Sequence, residues 1–116
     1  MKKIFLILVL FFGSINILNA ETNRIVAGNK NAKITIIAYE SLTCSHCADF
    51  HKNVYPQLKK EYLATGLAKI EFRHFPLDIA ALNGSKIAQC SKNQSLAILE
   101  SLYLNQQSWV KGSTIE

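Results

Sequence analysis

Cys44 and Cys47 stand three apart in "TCSHCADF", residues 43–50. Four chemistries use such a pair: haem anchoring, zinc binding, a static disulfide, and thiol–disulfide exchange. Covalent haem attachment needs histidine directly after the second cysteine, and Ala48 occupies that place. A structural zinc site takes four ligands, commonly two cysteine pairs or one pair with two histidines. The other candidate donors, His46, His51, His74 and Cys90, fall in no paired spacing. His51 does lie one helical turn beyond Cys47, within reach of a metal bound there. As a staple, two cysteines three apart inside a regular helix hold their Cβ atoms about 5–6 Å apart, against about 3.8 Å in a disulfide. Closure is easy only where Cys44 precedes the first helical turn, and so small a loop restrains little of the unfolded chain.

Exchange accounts better for the placement. The N-terminal turn of a helix leaves backbone N–H groups without partners and carries the positive end of the macrodipole. Both favour a thiolate at Cys44, the species that reacts in disulfide exchange. A charged His46 adds to the effect. Stabilising the thiolate stabilises the reduced form, which makes the disulfide more oxidising by about 30 mV per 1.4 kcal/mol. Cys47 begins the apolar side of the helix, which suits it to resolve mixed disulfides. The zinc site and the static staple stand as the alternatives.

The elements that must position this pair are legible around it. Residues 24–27 suggest a short strand, closed by the turn signal Gly28-Asn29. "KITIIAY", 33–39, is apolar on nearly consecutive positions, the pattern of a strand covered on both faces. Cys47, Phe50, Val54, Leu58 and Tyr62 recur at three and four, an amphipathic helix stripe. Thr43 offers a capping oxygen, Gly66 a stop, and Pro56 a kink through its missing donor. Residues 68–75 alternate Ala68, Ile70, Phe72 and His74 against Lys69, Glu71, Arg73 and Phe75, a second strand ended by Pro76. Strand, helix and strand at these lengths make a parallel βαβ unit. From Asp78 onward the sequence is helical, with Ile87, Cys90, Leu96, Leu99 and Tyr103 as inward candidates. No strand candidate follows residue 76, although "KITIIAY" reads as an interior strand. The expected domain is therefore the front part of a larger one, because folded proteins cover apolar sheet edges.

The chain has 116 residues and opens with Lys2 and Lys3, an unbroken apolar run of nine from Ile4 to Phe12, and a small-residue end at Ala20. That is the layout of a secretory signal peptide over residues 1–20, with cleavage after Ala20. Gly13, Ser14, Asn16 and Asn19 keep the run short of the roughly 20 apolar residues a membrane span needs. An uncleaved N-terminal anchor is the alternative. The domain is then 21–116. Loss of Lys2 and Lys3 lowers the formal charge from +5 to +3. The remaining basic residues are scattered, without the aromatic interleaving of a nucleic-acid surface. Three cysteines in an oxidising compartment leave Cys90 odd.

"GNKNAKITIIAYESLTCSHCADFHKNVYPQLKKEYLATGLAKIEFRHFPLD", residues 28–78, resembles the DsbA-like thiol:disulfide oxidoreductases of Gram-negative bacteria, particularly the alphaproteobacterial type. "IAQC" around Cys90 and "QQ..W" further on fit the same family. The resemblance implies an α/β, thioredoxin-like fold with a helical insertion, working in the periplasm without a cofactor. It implies a redox-active disulfide between Cys44 and Cys47, made oxidising by His46. It also implies partners: exported proteins with reduced cysteines, and a DsbB-like membrane oxidase that regenerates the pair. Nucleic acid is not among them, and the protein is not membrane-embedded once the signal is removed. Ser45 replaces the family's usual proline, which implies a milder redox poise. Ala38 stands where relatives often carry a buried acid, and Glu40 lies two residues on. The family's later strands and cis-proline have no counterpart here, so the fold is expected to be incomplete at its C-terminal end. Relatives can carry a second cysteine pair in the helical region, in which case the partner of Cys90 would lie beyond residue 116; a buried free thiol is the alternative. The alternative function is a catalytically inactive, truncated remnant acting at most as a binding module.

Overall fold

The computed structural model of the chain describes residues 24–111, so the expected leader at 1–20 lies outside the described residues. Three strands form one sheet: β1 (Ile25–Gly28), β2 (Ile34–Glu40) and β3 (Ala68–His74). Their order is β1-β3-β2, with β2 parallel and β1 antiparallel to β3. The parallel pair is the expected βαβ unit, and β1 adds to the far side of β3. At the end of β1, Gly28 takes φ +97°, and a Cβ there would lie 2.9 Å from the Ala68 carbonyl oxygen. Only glycine tolerates both that backbone and that approach.

The register puts Ile36 opposite Ile70, Ala38 opposite Phe72 and Glu40 opposite His74. One sheet face therefore carries Ile25, Ala27, Ala68, Ile70 and Phe72, all buried. Against it pack helix α1 (45–63) and helix α3 (Ser95–Leu104), with α2 (Ile79–Cys90) and the short α4 (Gln106–Trp109) completing the layer. Tyr103, Leu42, Ile70 and Leu99 are the largest fully buried side chains, each contributing roughly 1.5–3 kcal/mol by leaving water. The opposite face carries Thr35, Ile37, Tyr39, Lys69, Glu71 and Arg73. There Arg73 bonds Glu71 at 2.7 Å and the Tyr39 hydroxyl at 2.7 Å.

β2 does not match its sequence pattern. It has one strand neighbour among the described residues, and Ile37 and Tyr39 are 46% and 61% exposed. β3, which reads as an alternating strand, is the central one.

Helix α1 also departs from the expected stripe. It runs as α-helical turns at Ser45–Asp49 and Tyr55–Leu58, alternating with π turns at Phe50–Val54 and Lys59–Leu63. In each π turn the backbone bond spans five residues: Tyr55 N–H donates to the Phe50 carbonyl, and Ala64 N–H to that of Lys59. Pro56, which lacks a donor, sits in the α-helical stretch that follows the first π turn. The extra residue per wide turn moves the buried face onto Ala48, His51, Tyr55 and Leu63, and leaves Val54 and Tyr62 exposed.

In α2 the expected inward residues are reversed. Ile87 is 58% exposed and Cys90 is exposed, whereas Ala81, Gly84, Ser85 and Ala88 face inward. Small residues let α2 approach closely: a Cβ on Gly84 would stand 3.0 Å from Leu42 Cδ1 and 3.5 Å from the Trp109 ring. In α3, Leu99 and Tyr103 are buried as expected.

Candidate active site

Cys44 is the N-cap of α1, with extended backbone at φ −73° and ψ 121°. Its sulfur, rather than the Thr43 oxygen expected for this role, accepts the Cys47 N–H at 3.4 Å. Thr43 turns away and donates to Asp78 Oδ2 at 2.6 Å. Asp78 in turn caps α2 by accepting the Ala81 N–H at 2.7 Å. The Thr43 hydroxyl and the Ala81 amide hold the Asp78 carboxyl below the usual carboxylate range. Ser41 Oγ accepts the Leu77 N–H, and the Glu40 carbonyl accepts that of Phe75. The segment between β2 and the cysteines is thus fixed to the β3–α2 connection.

A second fixture comes from the far end of the chain. The Gln106 amide donates to the Leu42 carbonyl at 2.8 Å and to the Cys44 carbonyl at 2.9 Å, and its side chain is buried. In the sequence Gln106 stood out only as the first residue of "QQ..W", with no role attached. Nothing in a residue 62 positions away marks it as a support for Cys44.

Both cysteines are free thiols, each partly accessible. Cys47 packs against the core. Burial, reinforced by the neighbouring Cys44 sulfur and by the Glu40 charge, pushes its thiol up to about 11, the Ser41 backbone opposing. Below that value the fraction of reactive thiolate falls roughly tenfold per pH unit. Alkylation of Cys47, followed by mass mapping in the reduced protein, is therefore expected to accelerate about tenfold per unit from neutral pH to pH 10. A rate that levels off near the ordinary thiol value would contradict this environment.

His46 is exposed beside the pair. His51, the other histidine of this segment, is buried at 3% exposure, and its Nε2 meets Glu40 Oε2 at 2.8 Å. Its ring stacks on Tyr103, with centroids 4.1 Å apart, and lies near Phe72 at 5.2 Å. Glu40 is itself 9% exposed at the end of β2. It faces the same side of the sheet as Ala38, as the strand period requires. A buried carboxylate is costly unless paired, and the imidazole N–H is its partner. The charge of Glu40 reaches Cys47 and Tyr103, and raises both. His74, opposite Glu40 in the register, is held below the usual histidine value by burial, which Glu40 partly offsets. The pairing of residues 40 and 51 was missed in the sequence. A glutamate on the apolar side of a strand, followed by a histidine on the apolar side of the next helix, was the available signal. Cys90, exposed at the end of α2, stands apart from this cluster.

The arrangement presents one accessible sulfur at a helix cap, a second sulfur one turn on that is held as a thiol, and a buried carboxylate whose field reaches that thiol. Such a pair can form and open a disulfide.

Residues 20–116 match the family model described as Thioredoxin. A Rickettsia bellii protein named "Putative protein-disulfide oxidoreductase" is 34% identical over 88 residues, 75% of this chain and 34% of that protein. The crystal structure of Wolbachia pipientis alpha-DsbA1 is similar at a TM-score of 0.71 and 37% identity, over 76% of this chain and 45% of that one. A protein-disulfide isomerase from Novosphingobium aromaticivorans matches at a TM-score of 0.70 and 26% identity, over 74% of this chain and 44% of that one. The chain spans about a third of the length of the curated relatives it matches.

Proposed function

The chain belongs to the thioredoxin family, in its DsbA-like branch, and from that premise we propose that it is a thiol:disulfide oxidoreductase acting on exported proteins in the periplasm, with Cys44 as nucleophile and Cys47 as resolving thiol. The observation that carries this reading is the position of Cys44, at the cap of the helix that directly follows β2, with its sulfur on the Cys47 N–H. In the oxidised protein a substrate thiolate attacks Cys44 Sγ. The Cys44–Cys47 bond breaks, a mixed disulfide forms at Cys44, and Cys47 leaves as a thiolate. Held at about 11, that thiolate takes up a proton at neutral pH, which draws the step forward. A second substrate thiolate then attacks the substrate sulfur of the mixed disulfide. The substrate leaves oxidised, and the Cys44 thiolate leaves stabilised by the helix N-terminus.

In the reverse direction Cys47 must lose its proton before it can attack, and the buried Glu40 carboxylate is the proposed acceptor. His46, exposed next to the pair, favours the Cys44 thiolate when charged. Regeneration of the disulfide would fall to a membrane oxidase of DsbB type. Among the described residues no helix is long and apolar enough to cross a membrane.

The test is direct exchange. Oxidised protein mixed with a reduced two-cysteine peptide is expected to oxidise it much faster than a free aliphatic disulfide does, with Cys44 and Cys47 becoming thiols. Exchange no faster than that of the free disulfide would overturn the enzymatic reading and favour a chain that only binds other proteins.

A further inference from the structure

His51 joins two places in the molecule. Its Nε2 holds Glu40 beneath the cysteines at 2.8 Å. Its Nδ1 is buried and has no hydrogen-bond partner among the described residues. A buried ring nitrogen without a partner is unusual in a well-packed interior. His51 is also among the residues lining a cavity of about 180 Å³, together with Lys52, Tyr55, Pro56, Lys59 and Glu100. Lys52, Pro56 and Lys59 are exposed, so the cavity opens to solvent, and neither catalytic cysteine lines it. Its volume is ample room for water. The first π turn of α1, Phe50–Val54, contains His51 and brings Tyr55 alongside it, with ring centroids 5.3 Å apart.

We propose that His51 is a proton relay, with Glu40 on one ring nitrogen and solvent reached through this cavity on the other, so that the Cys47 proton is exchanged with bulk water behind the active site instead of past the bound substrate. The inference rests on the exchange chemistry proposed above and adds its proton route. When Cys47 attacks, its thiol proton passes to Glu40, and a doubly protonated His51 releases its Nδ1 proton to cavity water. The Cys47 sulfur then displaces the thiolate bonded to Cys44, and the Cys44–Cys47 bond forms. One proton leaves the thiol and one enters the water. The Glu40–His51 pair has zero net charge before and after, which spares the interior an isolated charge. When Cys47 leaves as a thiolate, the same transfers run backwards.

His51 acts through Glu40 and does not touch the reacting sulfurs, so its test must separate relay from packing. In a Cys90→Ser background, Cys44 is loaded as a glutathione mixed disulfide at acidic pH. The release of glutathione as Cys47 closes the ring is then followed at neutral pH. His51→Gln keeps a donor for Glu40 but cannot relay, and is expected to close at least about tenfold more slowly. His51→Ala is expected to be equally slow and to recover with added imidazole, which can enter the enlarged cavity, but not with pyrrole, which has the same shape without a basic nitrogen. Closure of His51→Gln at the parent rate overturns the relay. Recovery of His51→Ala with pyrrole as well as imidazole, or with neither, overturns it too. Should His51→Ala not fold, the closure rate of His51→Gln decides alone. Closure is intramolecular and proceeds whether or not the chain oxidises peptides. A His51-dependent closure without peptide exchange therefore overturns the proposed function and keeps the relay, and the converse result does the opposite.

Discussion

Replacement of Cys44 by serine is expected to abolish exchange with reduced peptides, while replacement of Cys47 by serine is expected to leave a protein that accumulates as a mixed disulfide. The two sulfurs are chemically alike and differ only in where the backbone puts them. Cys44 is the helix cap, in extended backbone, with the Cys47 N–H of the first turn of α1 donating to its sulfur. That is the environment that favours a thiolate and a leaving sulfur. A serine hydroxyl caps the helix equally well but forms no sulfur–sulfur bond, so the Cys44→Ser protein should stay folded and lose the reaction entirely. Cys47 packs against the core and is held as a thiol. Without it the Cys44 thiolate can still attack the disulfide of an oxidised substrate and expel one substrate thiolate, but no neighbouring sulfur remains to displace the bound partner. Non-reducing electrophoresis after mixing with a disulfide-bonded peptide, followed by mass spectrometry of the adducts, reads both outcomes. Adducts on Cys44→Ser, or their absence on Cys47→Ser, would reverse the assignment of nucleophile and resolver. Cys90 is exposed at the end of α2, so the experiment belongs in a Cys90→Ser background.

The second large effect is expected at Gln106. Its buried amide satisfies two carbonyls at once, those of Leu42 and Cys44. Gln106→Leu preserves the volume and leaves both acceptors without that donor. Stranding the buried Leu42 carbonyl costs about 1–3 kcal/mol, so the variant should lose about 1–3 kcal/mol, or about 0.5–1.5 M in urea midpoint. The loss should reach the chemistry as well. The Cys44 carbonyl also accepts the Ala48 N–H at 3.2 Å, and a loosened carbonyl loosens the cap. Faster alkylation of Cys44 should therefore accompany the lower midpoint. A variant within 0.5 kcal/mol of the parent, with unchanged Cys44 reactivity, would show that α4 plays no part in holding the site.

The cysteine pair, the strand before it, the helix it opens and the parallel return strand were all legible in the sequence, because each rests on a local signal. Alternation in 68–75 marked β3, Gly66 marked the end of α1, and Asp78 stood at the start of α2. What was not legible depended on contacts between distant residues or on small side chains. Apolar periodicity selected Ile87 and Cys90 in α2, whereas the helix buries Ala81, Gly84, Ser85 and Ala88. Their value lies in how closely they let Leu42 and Trp109 approach, and no hydrophobicity pattern displays that. The run "ITIIAY" looked like a strand covered on both faces, yet Ile37 and Tyr39 are open to solvent. The stripe on α1 failed at Val54 and Tyr62, though not at Leu58, which packs against the core, because a period of 3.6 residues cannot foresee turns closed by five-residue spans. The pairing of Glu40 with His51 was illegible for a related reason, since it depends on where the first π turn places the histidine.

The π turns make α1 a helix whose length matters as much as its composition. Each residue of an α-helix advances about 100° around the axis, so one surplus residue in Phe50–Val54 sets the angular offset between the turn bearing Cys47 and the turns bearing Tyr55 and Leu63. Inserting one further exposed residue there, beside Asn53, removes no buried contact of its own. It would nevertheless swing the two halves of the helix out of phase, with the sulfur and the aromatic ring aimed about a quarter-turn apart. In this segment the number of residues is therefore a specification in its own right, and a one-residue change in spacing is more damaging than most changes of side chain.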